Sequence, residues 1–144
     1  MKTQSCYVFV YGTLKRGQGN NLFLKDAQFL FEDIMLGRLF DLGAFPAMIF
    51  GKGHVYGEVW KISPKILAQL DRLEGTPHFF FRSRQEVIKH HWKFGDSVLG
   101  QFPWVYRMTP EKLSQICAKA KYIPSGFWER NYKEDAQRLT TYAN

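Results

Sequence analysis

A chain of 144 residues, 45% of them hydrophobic and 17% aromatic, has the length and apolar content of a single domain spanning residues 1–144 around one core. Its formal charge of +7 is dispersed, with bases beside acids at Lys25 and Asp26, Asp71 and Arg72, and Lys133 and Glu134, which argues against a dedicated nucleic-acid surface. Cys6 and Cys117 form no CxxC and are read as free thiols, and the apolar run from Tyr7 to Tyr11 is too brief for a signal peptide or a bilayer span, so a cytoplasmic protein without a membrane partner is expected.

In chain order, Cys6 to Tyr11 reads as a buried strand that stops at Gly12, where Gly12 to Gly19 form a loop. Asn20 or Asn21 is placed to cap a short helical turn through Lys25. Phe29 to Phe40 is a long β-prone stretch with a bend or bulge expected at Gly37, followed by a turn at Asp41 to Gly43. Phe45 to Phe50 and His54 to Ile62 read as two strands joined by a hairpin turn at Gly51 and Gly53. Ser63 before Pro64 starts a helix that runs to Leu73. Phe79 to Lys89 and Val98 to Met108 read as further strands, with a turn at Gly95 and Asp96. Thr109 before Pro110 starts a second helix, with Leu113, Ile116, Cys117 and Ala120 on one face, and beyond Tyr122 the pattern breaks at Pro124 and Gly126. About six strands with two main helices, and one helix-sized crossover, do not make a doubly wound sheet. An α+β domain is expected, built on a curled mixed sheet or small β-barrel with flanking helices.

Glu74 stands out on the first helix. Ile66, Leu67, Leu70 and Leu73 define the core-facing stripe, and at about 100° per residue Glu74 lies between the directions of Leu70 and Leu67, whereas Asp71 falls on the flank. An inward carboxyl at a helix C-terminus is disfavoured as the anion, so its pKa is expected to rise towards the range of a general acid/base. Two ordinary readings stand beside this one: the helix frays before Glu74, or the carboxylate pairs with Arg82 or Arg84.

Other chemistry has less support. The turn at Tyr11, Gly12, Thr13, Leu14 opens from a strand end, and successive N–H groups there can converge on an anion, although the segment has neither Walker nor GxGxxG spacing. His90 and His91 point to opposite faces of a strand and His54 and His78 lack a ligand-spaced partner, so no metal is expected. No GxSxG elbow occurs, and neither cysteine has a neighbouring base. The run Phe79, Phe80, Phe81 is read as core packing rather than a base-stacking platform.

Taken together, the stretch from Val8 through Tyr11, Gly12, Thr13, Leu14, Lys15, Arg16, Gly17 and Gln18 resembles the opening motif of the gamma-glutamylcyclotransferase-like family, and in particular its gamma-glutamylamine branch. Further likeness runs through Gly37 to Leu39, Gly43 to Ala47, Val55 to Trp60 around Gly57 and Glu58, and Leu70, Asp71, Arg72, Leu73, Glu74, Gly75. The resemblance implies a mixed β-barrel fold, a substrate-binding loop at Tyr11, Gly12, Thr13 and Leu14, a catalytic Glu74, and no cofactor. It also marks Phe45, Pro46 and Tyr106 as pocket candidates. The implied reaction releases 5-oxoproline from a small gamma-glutamyl amide by attack of the glutamyl α-amine on its own γ-carbonyl. Phe80 departs from the family pattern, which often has tyrosine there, and the Asn20, Asn21 pair replaces a proline-containing loop; both bear on substrate choice. Lys15 and Arg16 read as surface cations able to attract an anionic substrate, and Trp128 or Tyr132 as residues able to fold over the pocket. A non-catalytic ligand-binding module of the same fold and a basic barrel for single-stranded nucleic acid remain alternatives, and oligomeric state leaves no signal in the sequence.

Overall fold

In the computed structural model, which describes residues 6–94 and 102–130, the longest feature is an antiparallel pair formed by β2 (Gln28–Asp41) and β3 (Pro46–Ile62). Around it are β1 (Cys6–Val10), β4 (Phe81–Arg84), β5 (Trp104–Arg107) and β6 (Lys121–Tyr122), giving one six-stranded sheet in the order β4-β5-β1-β3-β2-β6. The sheet is mixed, because β1 and β5 are parallel while the other pairs are antiparallel, and it curls into a half-barrel. Two helices accompany it, α1 (Pro64–Leu73) and α2 (Pro110–Ile116).

Alternation along the strands feeds two cores. On β1, Val8 and Val10 join the core that α1, α2 and the 3-10 turn Asn21–Leu24 cover, through Ile66, Leu70, Leu113 and Leu24. Phe9 and Tyr11 point the other way, into a core completed by Val87, Phe94 and Trp128.

Both helices begin where the hydroxyl–proline pairs place them: Ser63 Oγ accepts the Ile66 N–H and Thr109 Oγ1 accepts the Lys112 N–H. The second helix ends at Ile116, so Cys117 and Ala120 lie beyond it and the expected four-residue apolar face is not helical throughout. Both cysteines are free thiols.

The hairpin expected at Gly51 and Gly53 is absent. One continuous strand crosses that point as a wide bulge: Leu36 faces His54 while Arg38 faces Ile49, five steps along β3 against two along β2. Glycine is required there by close approach, since a Cβ on Gly53 would lie 2.8 Å from the Gly37 carbonyl. The true reversal is at 42–45, where Gly43 takes φ +98 and Leu42 N–H bonds the Phe45 carbonyl.

The strand expected from Phe79 to Lys89 forms only at Phe81–Arg84, because beyond it the chain is pulled to Asp33, whose carboxylate accepts the N–H groups of Lys89 and His90. Within the Val98 to Met108 stretch, the described strand is Trp104–Arg107, and the turn at Gly95 and Asp96 lies outside the described residues. Among the described residues no helix is long and apolar enough to cross a membrane.

Candidate active site

The C-terminus of α1 fixes Glu74. Gly75 N–H bonds the Arg72 carbonyl and Thr76 N–H bonds the Asp71 carbonyl, a Schellman closure that needs the left-handed φ of +65 found at Gly75. Glu74 itself keeps a helical conformation, its N–H bonded to Leu70 O at 2.9 Å, so the helix does not fray before it. Its side chain lines a cavity of about 280 Å³. Burial lifts its pKa to about 7.

Neither arginine that might have paired with Glu74 does so. Arg82 Nε lies 3.3 Å from Asp71, Arg84 donates to the Phe102 carbonyl, and both guanidinium groups stack on Trp104. Among the described residues the Glu74 carboxyl has no hydrogen bond or ion pair with protein.

Opposite elements supply the rest of the cavity wall. Tyr11, Gly12, Thr13 and Leu14 enter it from the end of β1, Phe45 and Pro46 from the β2–β3 reversal, and Tyr106 from β5, so these seven residues line the same space as Glu74. The N–H groups of Gly12, Thr13 and Leu14 donate to no protein acceptor among the described residues. Gly12 is not in the left-handed region that a turn glycine would suggest; instead a Cβ on it would sit 2.7 Å from Cδ and Cγ of Pro46.

The hydroxyl of Tyr11 is committed within the fold, donating to the Tyr106 carbonyl at 2.6 Å and accepting the Met48 N–H at 3.0 Å. Tyr106 OH donates to Asp71 at 2.7 Å. Burial pushes both phenols well above the ordinary tyrosine range, so they stay protonated donors.

Sequence reading missed Asn20, Leu73, Phe79 and Phe80 as cavity residues. Neither Asn20 nor Asn21, the two candidate caps, makes a side-chain capping bond: Asn20 Nδ2 donates to Thr13 Oγ1 at 3.0 Å, while Asn21 Nδ2 holds the Leu14 carbonyl at 2.9 Å. An Asn pair just past a glycine-rich loop was the available signal. Phe79 and Phe80 pack edge to face with each other and Phe80 with Phe45, so the run is core packing that also walls the cavity.

Lys15 and Arg16 are not loose surface cations. Lys15 is 5% exposed, with Nζ donating to the Trp128 carbonyl and lying over the Phe127 ring, and burial lowers its pKa below the usual lysine value. Arg16 pairs with Glu58 and Glu32. Trp128 does not cover the cavity; it is buried in the core on the other face, its indole N–H on Asp41 at 3.1 Å, and Tyr132 lies outside the described residues. His90 pairs with Asp33 at 2.9 Å.

A small, largely apolar cleft holding an unpaired carboxyl of raised pKa and a run of unengaged main-chain donors defines a small-molecule site suited to acid/base chemistry. The family model described as gamma-glutamyl cyclotransferase, AIG2-like, matches residues 8–130. The chain belongs to this family and is an enzyme of the gamma-glutamylcyclotransferase type. A Vibrio cholerae relative carrying that name is 46% identical over 82 residues, covering 56% of this chain and 71% of its own. The gamma-glutamylaminecyclotransferase of Rattus norvegicus is 34% identical over 109 residues, covering 64% and 72%. The crystal structure of an AIG2-like protein from Mus musculus superposes with a TM-score of 0.67 at 28% identity, covering 88% of this chain and 89% of the other.

Proposed function

We propose that the protein releases 5-oxoproline and a free amine from a gamma-glutamyl amide, with Glu74 as general acid/base and no cofactor. The observation that carries this reading is a carboxyl group, unpaired and desolvated, in the same cavity as the open N–H groups of Gly12, Thr13 and Leu14. The ionised Glu74 takes one proton from the substrate ammonium. The freed amine attacks its own γ-carbonyl carbon, forming the lactam C–N bond, and the carbonyl oxygen becomes an oxyanion. Glu74 then hands its proton to the departing nitrogen, the carbonyl reforms, and the old amide C–N bond breaks. The second proton shed by the ring nitrogen follows to the released amine, which leaves as an ammonium.

The cavity supports this chemistry in two ways. Its walls of Phe45, Pro46, Phe79 and Phe80 confine a flexible glutamyl chain so that its two ends meet, which replaces an improbable encounter with a positioned one. The loop N–H groups are preorganised donors for an anionic group on the substrate, acting strongly where water is excluded.

Glu74→Gln keeps shape and removes the proton acceptor. Release of 5-oxoproline from a panel of gamma-glutamyl amides should fall by at least about a hundredfold in kcat. Retention of more than a tenth of wild-type turnover in the folded variant would remove Glu74 from the role of base.

A further inference from the structure

Gly12, Thr13 and Leu14 line the cavity and their N–H groups have no protein acceptor among the described residues, so what holds this loop in place must act from behind it. We propose that Glu58, which does not line the cavity, is a positioning residue for those N–H groups, an inference that rests on the loop's role in the function proposed above. The Glu58 side chain is only 8% exposed and accepts three N–H donors: the main-chain N–H of Arg16 at 3.0 Å, Arg16 Nε at 3.0 Å and Trp60 Nε1 at 3.1 Å.

Two features make this a clamp on the loop rather than a surface ion pair. The bond to the Arg16 main chain fixes backbone two residues past Leu14, and the guanidinium is itself braced by Glu32 at 3.0 Å and by the Phe29 ring at 3.8 Å. The height of Glu58 is also set, because its neighbour Gly57 runs so close to β1 that a Cβ there would lie 2.4 Å from the Val10 carbonyl. Donors occupy both oxygens, a pattern a carboxylate satisfies and a carboxamide does not, since its NH₂ would meet an N–H.

Glu58→Met keeps the length but has no acceptor oxygen, so it breaks the bond to the Arg16 main chain, leaves the cavity walls intact and loosens the aim of the loop, and misplacement on the ångström scale is expected to lower kcat/KM by about tenfold to a hundredfold. Glu58→Asp keeps the charge, shortens the reach and should behave alike. In both variants the pH at which kcat/KM levels off should be unchanged, because Glu74 is untouched, and the loop amides of Lys15, Gln18 and Asn20, which bond the carbonyls of Gly12, Lys15 and Thr13, should exchange hydrogen faster while those of β1 and β3 do not. Arg16→Ala strips a half-exposed side chain but keeps the main-chain bond, and should lose no more than about fivefold. Wild-type kinetics in a folded Glu58 variant, a shifted pH limb, unaltered loop exchange, or an Arg16→Ala loss beyond about thirtyfold would each overturn the proposal. If the wild-type protein released no 5-oxoproline from any gamma-glutamyl amide, the proposed function would fail, and the exchange measurement would still decide whether Glu58 sets the loop.

Discussion

Glu74 carries the sharpest consequences of any single residue. A base whose pKa stands at about 7 is ionised only as pH approaches neutrality, so kcat/KM is expected to climb with pH and level off above about 7, not near the ordinary value of 4.5. Stability runs the other way. Between pH 4.5 and about 7 the folded protein holds a proton that the unfolded chain has released, so the contribution of Glu74 to stability falls as pH rises through that window. Glu74→Gln removes this titration and should exceed the wild type in stability at about pH 8 by on the order of 2–3 kcal/mol, while matching it at about pH 4. Urea unfolding at the two pH values measures the difference, and an equal gap at both would mean that the carboxyl is not held in an apolar place. The inward direction of Glu74 was legible because helical periodicity is local. The burial of Lys15 was not, because its partners Phe127 and Trp128 lie at the other end of the chain and nothing near Lys15 announces them.

Among the elements, the helices were legible and the longest strand was not. Ser63 with Pro64 and Thr109 with Pro110 act within one turn of themselves, so their meaning survives in the bare sequence. Gly51 and Gly53 look like a hairpin when read alone. Only the partner β2, with Gly37 pressed against Gly53, turns them into a bulge within one strand. The loop leaving β1 shows the same dependence on a distant element, since Gly12 is required by Pro46 rather than by its own φ. Gly12→Val should therefore push the loop off Pro46 and lower kcat/KM by about tenfold or more, with Gly12→Ala intermediate. Steady-state kinetics beside far-UV circular dichroism test this, and normal kinetics in a folded Val variant would show that the loop can shift without consequence.

Across the whole molecule, part of the basic excess is engaged at the surface of the fold: Arg16, Arg82 and Arg84 are occupied by Glu58, Asp71, Phe29 and Trp104. The sheet brings residues from most of the chain to one cleft, and the segment following β6 completes the arrangement. Ile123 N–H bonds Leu39 O, Gly126 O accepts the Tyr56 N–H, Lys15 reaches the Trp128 carbonyl and Arg130 N–H reaches Gln18. Lys15 and Trp128 are 113 residues apart, and contacts of that span form slowly because a long loop must close first. On dilution from denaturant, far-UV signal should therefore recover before release of 5-oxoproline does, and simultaneous recovery in a refolding assay sampled over time would contradict this order. During synthesis the same geometry imposes a schedule: the Gly12 loop and Glu74 leave the ribosome well before Tyr106, which completes the wall of the cleft, and Lys15 beside the loop waits longest, for Trp128.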